Sequence, residues 1–101
     1  MAETKTGKKK EEPTIVRADN FQKFYVTNFN AVETKYDFRI ELMNEKIKFE
    51  RHWDYISDAM VILTPQAAKK LRDALTNYIK KHEEKEGTIE KPDMISRNVS
   101  D

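Results

Sequence analysis

A chain of 101 residues with 19 basic and 18 acidic side chains, a formal net charge of +1 and no cysteine allows one small domain and excludes two. The balanced charge excludes a general electrostatic attraction to nucleic acid, and the lack of cysteine excludes disulfides and thiolate metal sites. A core this thin then needs oligomerisation as its support. No apolar run approaches the ~20 residues of a membrane span and no signal peptide is visible, so we expect a cytoplasmic protein without membrane contact.

The N-terminal residues 1–20 are polar and charged, with almost no apolar side chain before Ile15. Such a composition buries too little surface to fold, so we expect a disordered N-terminal arm over residues 1–20. Three lysines at positions 8–10 are followed at once by Glu11 and Glu12. This alternation of charge indicates a solvated tail more than a phosphate site.

Residues 21–32 and residues 36–42 alternate between apolar and polar side chains. This period of two predicts two strands, the second of them with one face in water. The connection between them is short, so we expect an antiparallel hairpin with its turn either at 28–30 or at 33–35.

A third alternating stretch covers residues 46–50 and follows Asn44 and Glu45, where we expect the chain to reverse direction. Residues 51–54 mix aromatic and polar side chains. We predict a loop or a ragged strand end there.

Residues 57–63 form the last predicted strand, and they are apolar on both faces, with Met60 and Ile62 on one side and Ala59, Val61 and Leu63 on the other. Neither face of such a strand can lie fully in water, and one helix can cover only one of them. The economical cover for the other face is a second subunit. We therefore expect Met60 and Ile62 to lie at an oligomer interface.

The stretch from Thr64 to Gly87 predicts one long helix. Thr64 is a good N-cap and Pro65 suits the first helical position, while Gly87 can adopt the left-handed conformation that ends a helix. One stripe of the helix is apolar at steps of three and four residues, and consists of Ala68, Leu71, Leu75, Ile79 and His82. The helix is expected to run for about 22 residues, roughly 33 Å at ~1.5 Å per residue.

These elements predict an α+β fold, in which an antiparallel sheet of three to four strands packs against one long C-terminal helix in the order βββα. We expect residues 21–89 to form this single domain. Residues 90–101 are polar and are expected to form a flexible C-terminal tail.

Three motifs resemble a family of small bacterial and archaeal proteins, the domain of unknown function numbered three-four-six-seven: Tyr25-Val26-Thr27-Asn28, Tyr36-Asp37-Phe38-Arg39-Ile40 and Thr64-Pro65-Gln66 with Ala68-Lys69. The resemblance covers about residues 25–89. Thr27, His82 and Glu86 stand where the family more often has asparagine, an aromatic residue and phenylalanine. The resemblance implies the βββα fold and a prokaryotic protein, and it implies no activity.

The sequence offers little for catalysis or for a cofactor. Its two glycines, Gly7 and Gly87, lie outside any strand-to-helix turn, so no phosphate-binding loop is present. His52 and His82 are the only histidines, whereas a stable metal site needs three or four convergent ligands. We therefore expect no enzyme, no cofactor and no metal.

Basic and aromatic residues are interleaved near the middle of the chain, at Lys46, Lys48, Phe49, Arg51, Trp53 and Tyr55. Aromatic faces beside cations are how proteins hold single-stranded nucleic acid without reading its sequence. Glu50 and Asp54 interrupt the cluster and lower its positive potential. The alternative is that Phe49 belongs to the core and Trp53 anchors an interface.

Our leading hypothesis is a small non-enzymatic interaction module that acts as a homodimer or a larger homo-oligomer. The first alternative is a single-stranded nucleic-acid-binding protein that uses Lys46, Lys48, Phe49, Arg51 and Trp53. The second is a chaperone-like or adaptor protein that binds extended peptide at the edge of its sheet.

Overall fold

The computed structural model describes residues 11–95, and within that range the chain forms three strands and one helix. Their bounds are β1 Asn28–Glu33, β2 Phe38–Phe49, β3 His52–Leu63 and α1 Pro65–Glu86. The strands pair antiparallel in the order β1-β2-β3. The predicted α+β class and its βββα order are thereby confirmed, with three strands. The predicted arm and tail, residues 1–20 and 90–101, lie partly outside the described range.

Side-chain hydrogen bonds close the first hairpin, between β1 and β2. The Thr34 backbone N–H donates to the Asp37 carbonyl at 2.8 Å, and the Thr34 hydroxyl accepts from the N–H groups of Tyr36 and Asp37. The hydroxyl also lies 2.7 Å from the Asp37 carboxylate. Of the two predicted turn positions, the one beginning near Glu33 is therefore the correct one.

The first strand begins at Asn28, later than the alternation from Phe21 predicted. Asn28 pairs with Met43, and the ladder of β2 becomes irregular directly after Met43. Thr27 instead donates its N–H to the Met43 carbonyl at 2.9 Å and its hydroxyl to the Asn44 carbonyl at 2.7 Å. These bonds end the pairing, so the residues before Thr27 have no regular strand to join.

Two β-bulges lie in the long β2–β3 hairpin and cancel each other. β3 has one extra residue near Asp58, and β2 has one extra residue between Met43 and Lys46. The predicted reversal at Asn44 and Glu45 is therefore wrong: these polar residues leave the ladder, but as a bulge within a continuous strand. Pairing resumes at Lys46 in the register that it had before the two bulges.

The second reversal is instead the two-residue turn Glu50-Arg51, because Phe49 and His52 are the last paired residues. Glu50 has φ 59, in the left-handed region that glycine adopts more readily. Residues 52–54, predicted as a loop or a ragged strand end, are the start of β3. Their mixed composition fits a hairpin end that is in water on both faces.

The pairing register gives the sheet two distinct faces. Phe38 lies beside Leu63, and Ile40 lies beside Val61, on the helix-side face, where Phe38, Ile40 and Leu63 line a groove with α1. The alternate residues form the open face, where Arg39 pairs with Ile62 and Glu41 with Met60.

The helix begins and ends where the sequence predicts. Thr64 is the N-cap, and its hydroxyl accepts the Ala67 N–H at 3.1 Å, while Pro65 occupies the first turn. Gly87 ends the helix with φ 95 and donates its N–H to the Glu83 carbonyl at 3.0 Å. Ile89 then returns to the helix end, with its N–H 2.9 Å from the Glu83 carboxylate.

Very little of the described chain is buried. Met43 is the one buried hydrophobic residue and Asn28 the one buried polar residue, with 6% and 4% of their surfaces exposed. No residue of α1 is buried, and Leu71, Leu75 and Ile79 on its apolar stripe are 40–46% exposed. The residues 11–95 of a single copy therefore form no hydrophobic core of ordinary size.

Candidate functional site

The distal half of the β2–β3 hairpin carries a basic and aromatic cluster. Lys46 pairs with Tyr55 and Lys48 with Trp53, so all four side chains lie on one face. The Lys46 ammonium is 5.2 Å from the centre of the Trp53 ring and 5.8 Å from that of Tyr55, and the Lys48 ammonium is 5.8 Å from that of Trp53. These distances are typical of cation–π contacts. Lys46, Lys48, Trp53 and Tyr55 are named the cationic cluster below.

Two residues predicted for this site lie elsewhere. Phe49 pairs with His52 and follows Lys48 directly, so its side chain is on the opposite face of the hairpin, where it is 68% exposed. Arg51 lies in the two-residue turn. The predicted set therefore divides by strand alternation, and only Lys46, Lys48 and Trp53 come together.

Asp93 completes the site from a distant part of the sequence. Its carboxylate accepts a hydrogen bond from the Lys46 ammonium at 2.7 Å and one from the Tyr55 hydroxyl at 3.2 Å. Its backbone carbonyl accepts a hydrogen bond from the side-chain amide of Asn28 at 3.0 Å. One aspartyl residue is thus held both by its side chain and by its main chain.

Sequence reasoning missed Asn28 and Asp93. Asp93 lies 47 residues from Lys46 and 65 from Asn28, in a polar stretch that reads as a tail. No sequence motif around Pro92 and Asp93 indicates that Asp93 contacts residues so far away in the chain. The only available signal was an asparagine at the start of a strand, where the side chain must bond something if it is buried.

The contacts around Asp93 set the charge of the site. The hydrogen bond from Lys46, followed by that from Tyr55, holds the pKa of Asp93 below its ordinary value. The same bond to Asp93 raises the pKa of Lys46. Both groups are therefore charged at neutral pH and compensate each other, which leaves Lys48 as the net positive charge of the cationic cluster.

A second charged pair belongs to the first hairpin. Arg39 places its Nε 3.1 Å from one carboxylate oxygen of Asp37 and a terminal nitrogen 3.4 Å from the other. The Arg39 hydrogen bond and then the Thr34 hydroxyl hold the pKa of Asp37 below its ordinary value. Because Asp37 also closes the turn, this pair has a structural role within its own hairpin.

The two predicted interface residues lie on the open face of the edge strand β3. Met60 is 48% exposed and Ile62 is 55% exposed. The expectation that neither face of this strand lies in water is therefore not met within one chain. The helix-side face is also incompletely covered, with Val61 39% exposed.

The described residues give no sign of a metal site, since nowhere in 11–95 do three or more histidine, cysteine, aspartate or glutamate side chains converge. His52 has its Nε2 3.0 Å from an oxygen of Asp54, its neighbour on the same face of β3. Over the same residues, α1 is too polar to cross a membrane, and no other helix is found.

A three-stranded antiparallel sheet followed by one long helix defines a small α+β domain of the βββα type. The family model described as "Protein of unknown function (DUF3467)" matches residues 1–91, and the chain belongs to this family. The family named from the sequence motifs is thereby confirmed. Neither the curated proteins nor the solved structures that were compared contain a match to the chain.

Proposed function

We propose that this protein is a non-enzymatic interaction module that acts as a homodimer. The supporting observation is the exposure of the apolar residues on α1 and β3, most of which are 38–55% exposed in a single chain. Scattered apolar residues on a surface are ordinary, but contiguous ones on two adjoining elements are typical of an interface. Nothing in the family description points to catalysis.

Two surfaces, on opposite faces of the sheet, are available to the second copy. One is the open-face patch formed by Met60 and Ile62. The other is a groove of about 460 Å³ between α1 and the helix-side face, lined by Ala31, Val32, Glu33, Phe38, Ile40, Leu63, Ala68, Leu71, Arg72 and Leu75. A two-fold dimer presents the same patch from both copies, so an apolar patch can cover its own equivalent.

Sedimentation velocity at micromolar concentration tests the proposal. We expect the wild type to sediment as a dimer and Ile62→Lys to sediment as a monomer, because a buried cation opposite Arg39 has no partner and opposes association. Ile15→Lys is the matched control, since Ile15 is 93% exposed and lies before the sheet. Met60→Gln, which keeps the side-chain length, provides a milder second variant if the lysine variant does not fold. A monomeric wild type would contradict the proposal.

Single-stranded nucleic-acid binding is the second candidate, favoured by the two ammonium groups over the Trp53 ring. Stacking a base on Trp53 contributes ~1–3 kcal/mol, and the flanking lysines bring a salt dependence. We expect a short oligothymidine to bind at low salt, to dissociate as salt is raised, and to bind more weakly to Trp53→Ala. An absence of binding at low salt would reject this candidate.

The third candidate is an adaptor that takes up extended peptide. Within the described residues, the outer sides of β1 and β3 have no strand paired to them, so each can accept an added strand. A pull-down from a prokaryotic host extract, with and without nuclease, separates protein partners from nucleic acid. A cytoplasmic location remains a prediction from the sequence.

A further inference from the structure

The contacts of Asp93 involve both its side chain and its backbone, so they can recognise a whole aspartyl residue and not only a negative charge. Lys46 and Tyr55 hold the side-chain carboxylate, and the Asn28 amide holds the carbonyl of the same residue. With Asp93 in place Asn28 is 4% exposed, and its side-chain oxygen accepts the Phe29 N–H at 2.8 Å, so the orientation of its amide donor is fixed. A buried donor of this kind strongly prefers a partner, because an unpaired one costs free energy.

We propose that Asn28, Lys46 and Tyr55 form a binding site for an aspartyl residue within an extended peptide. The chain's own Asp93 occupies this site in the isolated protein, and an acidic segment of a partner protein displaces it. The proposal rests on the proposed function as an interaction module, and it specifies the chemistry of the partner.

The spacing of the donors selects the side chain that fits. The carbonyl and the carboxylate of one residue must reach Asn28 and Lys46 together, and the aspartate side chain spans that separation. Glutamate has one more methylene, which moves its carboxylate relative to the carbonyl. Asparagine keeps the shape but loses the charge that the Lys46 ammonium pairs with.

The same contacts favour a peptide over nucleic acid. A backbone phosphate would satisfy Lys46, but it brings no amide carbonyl to the donor of Asn28. The protein as a whole has a net charge of only +1, so it lacks a broad positive field that would favour nucleic acid over a peptide. An acidic peptide needs no such field.

The segment that contains Asp93 occupies the site because it is tethered to the end of α1. Residues 87–93 are the short connection between the end of α1 and Asp93, so the local concentration of the tail is of millimolar order. A peptide in solution must compete with this concentration. Removing the Asp93 carboxylate should therefore strengthen the binding of an external peptide about tenfold or more.

The experiment uses the full chain and a synthetic peptide of residues 89–95, Ile-Glu-Lys-Pro-Asp-Met-Ile. Trp53 is the only tryptophan and lies beside Lys46, so its fluorescence reports occupancy. We expect Asp93→Ala to bind the peptide with a dissociation constant at least about tenfold below that of the wild type. The same peptide carrying Asp93→Asn should lose most of that affinity.

Two lysine variants in the Asp93→Ala background provide the matched control. Lys46→Met should abolish peptide binding, because it removes the ammonium that contacts the carboxylate. Lys48→Met should retain it, since Lys48 contacts the same Trp53 ring and has no bond to Asp93 in the structure. Tyr55→Phe should weaken binding to a smaller extent, because the lost bond is the longer one, at 3.2 Å.

Three results would overturn the proposal: no peptide binding by Asp93→Ala, equal binding of the aspartate and asparagine peptides, or binding of an oligothymidine in place of the peptide. If Asp93→Ala does not fold, the wild type is titrated with excess peptide, and weak saturable binding that disappears in Lys46→Met is expected. Sedimentation of the same samples separates the two proposals. If the protein sediments as a dimer and does not bind the peptide, only the aspartyl site is rejected. If it sediments as a monomer and binds the peptide, only the homodimer is rejected.

Discussion

The two turns that flank β2 both reverse the direction of the chain, but different interactions hold them. The turn at 34–37 is fixed by the Thr34 hydroxyl and by a carboxylate that Arg39 also holds. The turn at Glu50-Arg51 has a glutamate in a left-handed conformation and lies at the exposed end of the hairpin. The comparison shows that the first hairpin is stabilised by its own side chains. The distal end of the β2–β3 hairpin, which bears the cationic cluster, instead has backbone strain at Glu50.

Met43 joins these two regions, because it pairs with Asn28 of the first hairpin and begins the irregular part of the second. Met43→Ala should lower the free energy of unfolding by about 2–4 kcal/mol, since it empties the one buried apolar position described. Chemical denaturation measures the change. Met94→Ala is the control, because Met94 is 96% exposed, and equal effects of the two substitutions would contradict the assignment.

Thr34→Val should have the next largest effect. The substitution keeps the shape of the side chain and removes a hydroxyl that accepts two backbone N–H groups at 3.0 and 3.1 Å. We expect a loss of about 1–2 kcal/mol in the free energy of unfolding, measured by urea denaturation. Thr14→Val, which lies before the first strand, should leave stability unchanged. A neutral Thr34→Val would show that the first turn needs no side chain.

Glu50→Gly should remove backbone strain from the second turn. Glycine adopts the left-handed region without the steric cost that glutamate has at φ 59, so we expect an increase in stability of up to about 1 kcal/mol. Glu50→Ala is the control, because it removes the same side chain but keeps the Cβ. The midpoints of thermal unfolding should differ between the two variants. If they are identical, backbone strain at Glu50 is not a determinant of stability.

The smallest expected effect is a pH dependence of the first hairpin. The pKa of Asp37 is lowered in the folded protein, first by the hydrogen bond from Arg39. A lowered folded-state pKa means that the contribution of Asp37 is complete above its unfolded-state pKa and is lost as the pH falls through the folded-state value. The midpoint of thermal unfolding should therefore fall with decreasing pH below about 4, less steeply in Asp37→Asn. Parallel pH curves for the two proteins would contradict this.

Local signals predicted the helix and the alternating strands, and they limited the first turn to two positions, because each of these features depends on neighbours in sequence. Thr64, Pro65 and Gly87 mark the ends of α1 by short-range chemistry, and the alternation from Tyr36 onward marks β2. The same reasoning failed at Asn44 and Glu45. A polar pair can mark a reversal or a bulge, and the choice depends on whether the residues after it go on pairing with the same neighbouring strand.

The candidate site was predictable only in part, for a related reason. Lys46, Lys48 and Trp53 lie within eight positions, so their grouping was visible in the sequence. That Phe49 lies on the other face from Lys48 follows from strand alternation alone, once β2 is known to continue through both residues. The contact with Asp93 depends on where the segment after α1 turns, and no local pattern encodes it.

The paired bulges have a consequence for chain length. A single-residue deletion between Met43 and Lys46 would remove the extra residue and close that bulge, so Lys46 would still pair with Tyr55 and Lys48 with Trp53. A deletion near Asp58 would close the other bulge in the same way. A deletion at a regularly paired position such as Ile47 would instead shift the neighbouring side chains to the other face. Single-residue deletions in this hairpin should therefore be tolerated at the two bulges and seldom elsewhere.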